Sequence, residues 1–357
     1  MTTNATTRYR QIEVFGAPAE MGRQIGEAAR TEVRGFCEMA MDHIRQTVSI
    51  SREKAMSVAS KCLTLAAAYS RETMQEVRGV AEAANVSTGE LMLLQVRNQL
   101  LDEVDSGCTS LSCAQVEGVQ HGGMVLAQNW DNDPDLDPFT IVLTRRPMGK
   151  PALMCVTQAG LVAYFGFNEH GIGVCMNTLP APKRDLGVPH YFILREVYEK
   201  RSLDEAVASV RRARRAVPIN MMMATPQGPA DLEITIDDVH VLTDPHSRCL
   251  THTNHCLHTG LRAINGQFPE LIQSGARIRR IEALLGGNGE FLRLEDIKSA
   301  LRDHANYPTS ICRHKNDDPA FGFWKTVFSV IIEPGAQRMH ISRGNPCEHA
   351  YETYTMN

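Results

Sequence analysis

Along the first hundred residues the apolar positions recur at helical spacing. Glu20-Met-Gly-Arg-Gln-Ile-Gly-Glu-Ala-Ala-Arg30 runs on into Val33, Phe36, Met39, Met41 and Ile44, and steps mostly of three or four residues give one buried helical face. A second helix is predicted across Leu65 to Ala84. Ser87-Thr-Gly-Glu90 then forms a capping-box pattern, in which hydroxyl and carboxylate serve each other's backbone donors, and it opens a helix over Leu91 to Val104 that should stop near Asp105-Ser-Gly107. From Cys108 the pattern changes to short apolar runs bounded by Gly, Asn, Asp and Pro: Gly123 to Gln128, Thr140 to Thr144, Ala152 to Thr157 and Gly171 to Met176. These read as strands joined by turns. Helical periodicity returns over Tyr191 to Glu199 and, behind a second capping box at Ser202-Leu-Asp-Glu205, through Ala213. Strands follow at Asn220 to Ala224, Leu232 to Ile236 and His240 to Leu242, helices at Ile272 to Leu285 and Leu294 to Asp303, and closing strands at Thr326 to Ile332 and Arg338 to Ser342. Strands, then helices, then strands again describe an α+β layered domain behind a helical segment, with no repeat or linker that divides it further.

Composition narrows the function classes. Lys plus Arg is 37 against 41 Asp plus Glu, a formal charge of −4, which supplies no general attraction to nucleic acid or anionic lipid. The basic run Arg211 to Arg215 closes a predicted helix, where cations complement the dipole, and reads as a solvated face. Met221-Met-Met223 reads as strand core. No run approaches the roughly 18 apolar residues of a membrane helix, and the first ten residues lack the apolar stretch of a signal peptide, so cytoplasmic residence is the expectation. Ten cysteines are too sparse for a disulfide scaffold, and most are expected as small buried hydrophobes.

The junction Ser106-Gly107-Cys108-Thr109 carries the most chemistry. If the Gly107–Cys108 bond were cut, Cys108 would hold a thiol and a free α-amine on one residue. An α-amine of reference pKa about 7.7 to 8.0 accepts a proton near neutrality, whereas a lysine at about 10.4 needs heavy tuning. That pairing is an N-terminal nucleophile with its own base; the plainer reading is a buried cysteine after a turn glycine. A second candidate tract, His252, His255, Cys256 and His258 with Cys249, holds zinc-ligand residue types. On a strand, 252, 254, 256 and 258 share one face and 255 points away, so no compact tetrahedral set follows and no metal is expected there.

Nine collinear blocks carry a resemblance over nearly the whole chain: Gly16-Ala-Pro-Ala-Glu-Met-Gly22 with Gly26, Glu76-Val-Arg-Gly-Val-Ala81, Gly107-Cys-Thr109 with Cys113, Gln128-Asn-Trp-Asp131, Gln158-Ala-Gly160, Gly166-Phe-Asn168, Gly187-Val-Pro189, His252-Thr-Asn-His-Cys-Leu257, and Asn306-Tyr-Pro308 with Ser310-Ile-Cys-Arg313. Together they resemble the acyl-coenzyme A:6-aminopenicillanic acid acyltransferase family of self-cleaving N-terminal-nucleophile enzymes. The resemblance implies a four-layer αββα sandwich and self-cleavage at Gly107–Cys108. The products would be an α chain, residues 1–107, and a β chain, residues 108–357, that stay associated as partners. It further implies Cys108 as nucleophile, Asp131 as the carboxylate holding its α-ammonium group, Asn254 as amide donor to the tetrahedral oxyanion, and Asn177 as a further active-site asparagine. As plain sequence, Asp131 before Asn132-Asp-Pro134 also reads as an Asx-turn residue and Asn177 as a strand-ending turn residue.

One departure bears on substrate. Where the penicillin enzyme has a Ser-Arg pair before a Thr-Leu-Phe strand, this chain reads Phe321-Gly-Phe-Trp-Lys-Thr-Val-Phe328. Lys325 is the nearest cation and lacks the planar fork of arginine. Phe321, Phe323 and Trp324 become candidates to line an acyl pocket, the plainer reading being ordinary core. The expected activity is cleavage of a small linear N-acyl amide through a thioester, with no cofactor and no nucleic-acid or membrane partner. The alternatives are acyl-coenzyme A-dependent transfer to an amine, and an unprocessed, non-catalytic or zinc-binding protein.

Overall fold

A computed structural model describes residues 7–46, 50–100, 107–119, 123–268, 273–286, 292–319 and 322–356. The chain opens with a strand, β1 (Gln11–Gly16), and five helices, α1 (Pro18–Ala28), α2 (Arg30–Gln46), α3 (Arg52–Tyr69), α4 (Arg71–Ala84) and α5 (Thr88–Leu100). Strands β2 (Gly107–Cys113), β3 (Val125–Asn132), β4 (Thr140–Pro147), β5 (Leu153–Gln158), β6 (Phe165–Asn168) and β7 (Gly173–Thr178) follow. After α6 (His190–Val197) and α7 (Leu203–Arg212) come β8 (Ile219–Thr225), β9 (Gly228–Ile234), β10 (Val239–Leu242) and β11 (Cys249–His252). Helices α8 (Ser274–Gly286) and α9 (Leu294–Leu301) precede β12 (Lys325–Glu333), β13 (Arg338–Arg343) and β14 (Glu352–Thr355).

Two sheets result, one in the order β1-β4-β5-β6-β7-β8-β9-β10 and one in the order β11-β2-β3-β12-β13-β14. Every pairing is antiparallel except that of β1 with β4. The sheets stack through β2 and β3 against β7 and β8, with α1 and α2 on the far side of the first sheet and α8 and α9 on the far side of the second. This is the αββα sandwich, and it explains the texture of the central strands. With both faces covered, β5 and β8 are buried along their whole length and read as near-continuous apolar runs, while β2 and β3, equally buried, carry polar side chains such as Ser110, Asn129 and Asp131 that must find partners inside.

Expected helices break where local chemistry stops them. The run from Glu20 to Ile44 divides at Ala29. The run from Leu65 to Ala84 divides at Ser70, which ends α3 in extended backbone while its hydroxyl accepts the Thr73 N–H of α4. The predicted end of α5, Leu101 to Ser106, lies outside the described residues. Strands β1, β6, β11 and β14 are not evident from the pattern; β6, β11 and β14 have four residues each, and β1, β11 and β14 lie at sheet edges. Crossing α1 over α4 demands small residues: a Cβ on Gly79 would stand 2.3 Å from the Ala19 carbonyl oxygen. The same crossing buries Glu76, whose carboxylate receives Arg145 Nε at 2.8 Å and faces Arg195 Nη1 at 3.2 Å. Cys113 of β2 and Cys249 of β11 form a disulfide across a register pair, and most of the remaining cysteines are buried free thiols, as expected. The two ends of the described chain also meet: Tyr9 N–H donates to Tyr354 Oη at 2.7 Å, and the Arg8 guanidinium lies 4.1 Å over the Tyr354 ring.

Candidate active site

Strand pairing assembles the centre. The antiparallel register of β2 and β3 sets Gly107 opposite Asp131 and Cys108 opposite Trp130, while on the other side of β3, Thr326 of β12 pairs with Asp131. Side chains alternate along β2, so Ser110 turns toward the first sheet, where its hydroxyl donates to Asn177 Oδ1 of β7 at 2.8 Å. Cys108 shares that face, sealed from solvent. Leu111 and Cys113 turn the other way, into a core with Ile281 of α8 and Leu301 of α9.

The Cys108 residue is held at both backbone ends. Its N–H donates to Asn254 Oδ1 at 2.9 Å, and its carbonyl oxygen accepts from Arg277 Nη1. Arg277 reaches in from α8, also donating to Thr109 Oγ1 at 3.0 Å and, through Nη2, to Asn254 Oδ1 at 2.8 Å. Asn254 is fixed in turn by Ser274 Oγ, 2.7 Å from its N–H, and gives Nδ2 to the Thr178 carbonyl at 3.2 Å. In the continuous chain the edge of Asn254 that faces Cys108 is therefore its acceptor oxygen, with Nδ2 turned to Thr178. Asn177 spans the sheets, its Nδ2 3.3 Å from the His252 carbonyl oxygen, and its contact with β2 falls at Ser110, two residues beyond Cys108.

Asp131 is wholly buried, and its Oδ1 accepts from Thr326 Oγ1 at 2.7 Å. Oδ2 is equally enclosed and has no hydrogen-bond partner among the described residues. Burial pushes its pKa up to about 6, with the Arg277 and Arg313 guanidiniums and the Thr326 bond pulling against the rise. The Asx-turn role belongs to its neighbours: Asn132 accepts from the Asp133 N–H and Asp133 from that of Asp135.

The other candidates are dispersed. Lys325 stands across from Asn132, one residue along from Asp131. Trp324 is buried, but Phe323 is 47% exposed with its ring edge-on to Trp324 at 6.0 Å, and Phe321 lies outside the described residues. The His/Cys tract from 249 to 258 does not converge: Cys249 is in the disulfide, His252 Nε2 meets Glu233 Oε1 at 3.0 Å, and His258 stacks on His240 at 4.0 Å. Sequence reasoning assigned nothing to Arg277, Arg313 or Thr326. The signal for Arg277 is its place on the apolar stripe of α8 beside Ile278 and Ile281, where a charge must find a buried partner.

Comparisons with known proteins fit this framework. The family model described as acyl-coenzyme A:6-aminopenicillanic acid acyl-transferase matches residues 119–348. The acyl-coenzyme A:6-aminopenicillanic-acid-acyltransferase 40 kDa form of Emericella nidulans is 27% identical over 351 residues, covering 96% of this chain and 94% of that protein. Solved structures that align include penicillin V acylase from Agrobacterium tumefaciens, with TM-score 0.45, 11% identity and coverage of 66% of this chain and 83% of that one. A mutant conjugated bile acid hydrolase from Clostridium perfringens aligns with TM-score 0.43, 12% identity and coverage of 70% and 97%. With well over half its residues matched by the family model, the chain belongs to the acyl-coenzyme A:6-aminopenicillanic acid acyl-transferase family.

Proposed function

We propose that the chain is a self-processing N-terminal-cysteine amidohydrolase and acyltransferase that cleaves a small linear N-acyl amide. The observation that carries this reading is the clamp on Cys108, with its N–H on Asn254, its carbonyl on Arg277, and Gly107 directly across from a buried carboxylate. Such a clamp immobilises the 107–108 peptide next to a thiol, which supports attack of Sγ on the Gly107 carbonyl carbon. The C–N bond breaks as the C–S bond forms, the nitrogen leaves as the Cys108 amine, and water then hydrolyses the thioester to a Gly107 carboxylate and a free thiol.

In the processed enzyme the Cys108 amine takes the thiol proton and the thiolate attacks the substrate carbonyl. The Asn254 carbonyl oxygen, already on that nitrogen, keeps the amine in place. Ionised Asp131 and its arginines set the charge around the amine. Asn254 Nδ2, released from Thr178, and backbone N–H groups serve the oxyanion, while Asn177 supports the face of β2 beyond the nucleophile. The protonated amine returns its proton to the leaving nitrogen, and the acyl-thioester passes to water or to an amine. Water is the expected dominant acceptor, because the Ser-Arg pair of the penicillin enzyme is replaced here by the Trp324-Lys325 region.

Intact-mass analysis of purified protein tests the reading. The wild type should yield two chains of about 12 and 28 kDa by proportion of the 39.6 kDa total, and Cys108→Ala a single chain. Processed enzyme given an acyl amide, with and without a competing amine, should release mainly free acid. A single intact chain that hydrolyses amides would overturn the mechanism, and acylation by acyl-coenzyme A alone would move the assignment to the transferase alternative.

A further inference from the structure

We propose that His304, Cys312, His314 and Cys347 form a structural zinc site in the loops at one end of the β12–β13 ladder of the second sheet, distinct from the centre around Cys108. Their ligand atoms all lie within 4.8 Å of one another. The separations are 3.5 Å between the two Sγ atoms, 3.1 Å between the two Nε2 atoms, and 3.7 and 3.4 Å from His314 Nε2 to the sulfurs of Cys312 and Cys347. A tetrahedral Zn²⁺ with bonds of about 2.3 Å to sulfur and 2.05 Å to nitrogen requires edges of about 3.8 Å for S–S, 3.3 Å for N–N and 3.5 Å for S–N. These four edges fall within about 0.3 Å of that geometry; the two from His304 to the sulfurs lie within 4.8 Å, and the exposed His304 ring would have to swing in to complete the tetrahedron. The sulfurs stand well beyond the covalent S–S distance of about 2.05 Å.

Donor chemistry points to the same ion. Two thiolates and two imidazoles in a closed tetrahedron suit zinc over the oxygen-seeking divalent cations, and four protein ligands leave no position for substrate, so the site is structural. Each thiol gives up a proton on binding, so Zn²⁺ with two thiolates adds no net charge to the loops. Outer groups orient the ligands. His314 turns Nδ1 toward Glu348 Oε1 at 3.7 Å, which leaves Nε2 for the cluster, and Asn345 Nδ2 lies 3.4 Å from Cys312 Sγ.

The consequence for the fold is local and specific. The ligands come from three segments, after α9, before β12 and after β13, which a few hydrogen bonds join: Cys312 N–H to the Asp303 carbonyl at 3.1 Å, Arg302 Nε to the Pro346 carbonyl at 3.0 Å and Asn345 Nδ2 to the Arg313 carbonyl at 2.7 Å. Arg313 sits between two of the ligands, and its guanidinium is one of the charges acting on Asp131. A metal there would fix the segment that positions Arg313.

The test uses the full chain, expressed in zinc-supplemented medium, desalted exhaustively and assayed by elemental mass spectrometry. The expected result is about one zinc per chain, falling at least tenfold in Cys347→Ser and in His304→Ala. Cobalt exchange into the wild type should give thiolate-to-metal charge-transfer absorption with tetrahedral ligand-field bands, a readout independent of activity and of whether the variants fold. Substoichiometric zinc in the wild type, a Cys312–Cys347 disulfide in non-reducing peptide maps, another metal in place of zinc, or full zinc retention in folded Cys347→Ser would overturn the proposal.

Discussion

Asp131→Asn separates a structural role of this carboxylate from a chemical one, because the two predict opposite signs. The pKa of Asp131 rises from 3.8 to about 6 in the folded chain. A rise of that size corresponds to about 3 kcal/mol between its protonated and ionised forms. The native state holds the proton more tightly than the unfolded chain. Its stabilising share is therefore fully present below about pH 3.8 and is lost as the pH rises through about 6. Above that pH the ionised carboxylate costs the fold about 3 kcal/mol, the attractions of Arg277 and Arg313 having already been counted in the value. Asparagine keeps the shape and carries no charge. In a Cys108→Ala background, which keeps the chain whole, Asp131→Asn should melt higher at pH 8. An unfolding entropy of about 0.75 kcal/mol/K for a chain of this length converts the gain to about 4 °C. At pH 4 the difference should shrink toward zero. With Cys108 restored, the same substitution should lower kcat by about 10- to 100-fold, since the amine loses its counter-charge. Paired melts at the two pH values and a progress curve on an acyl amide decide the matter. A variant that melts lower at pH 8 while turning over at the wild-type rate refutes the reasoning and returns Asp131 to a turn role.

Two further outcomes follow from buried charge. Arg277→Gln should slow self-cleavage by at least about tenfold, read as the half-time for conversion of intact to two-band protein, because the Cys108 carbonyl loses a charged donor. Equal half-times would remove Arg277 from the processing machinery. Glu76→Gln should lower the unfolding free energy by about 3 to 5 kcal/mol in urea titrations, since Arg145 and Arg195 remain buried without their carboxylate; a change under about 1 kcal/mol would count against the pair as a stability element.

What the sequence made legible was local. The box at Ser87 and Glu90 closes as read, the Ser87 N–H reaching Glu90 Oε2 at 2.7 Å and the Glu90 N–H reaching Ser87 Oγ at 3.1 Å, whereas at α7 only half of it forms: Ser202 Oγ accepts the Glu205 N–H, but Glu205 Oε2 takes the Arg201 N–H. Breaks at Ala29 and Ser70 escaped because apolar periodicity carries on across them, while the helices change direction. Register was not legible at all. Nothing in the text of β2 and β3 fixes Gly107 against Asp131, and Asn254 and Arg277 reach Cys108 from 146 and 169 residues away. Those two approaches depend on where β11 and α8 pack against β2, which is a property of the stacked sheets and not of any window of sequence. Four metal-binding side chains at 304, 312, 314 and 347 likewise have no compact spacing for a reader to notice.

The meeting of Tyr9 with Tyr354 gives the molecule an unusual connectivity option. Because the two ends of the described chain lie against each other, a short linker from the 356 end to the 7 end would close the backbone into a ring without asking any strand to move. Opening that ring between Gly107 and Cys108 yields a circular permutant whose first residue is Cys108 and whose last is Gly107. Once its initiator methionine is removed, such a chain would carry the free α-amine that, on the proposed mechanism, the natural order supplies by breaking the 107–108 peptide bond. On the proposed mechanism it would uncouple maturation from catalysis: the strand order, the buried Glu76 contacts and the Asn254 and Arg277 contacts would be retained, and the thiol would not have to act on its own chain before acting on another molecule.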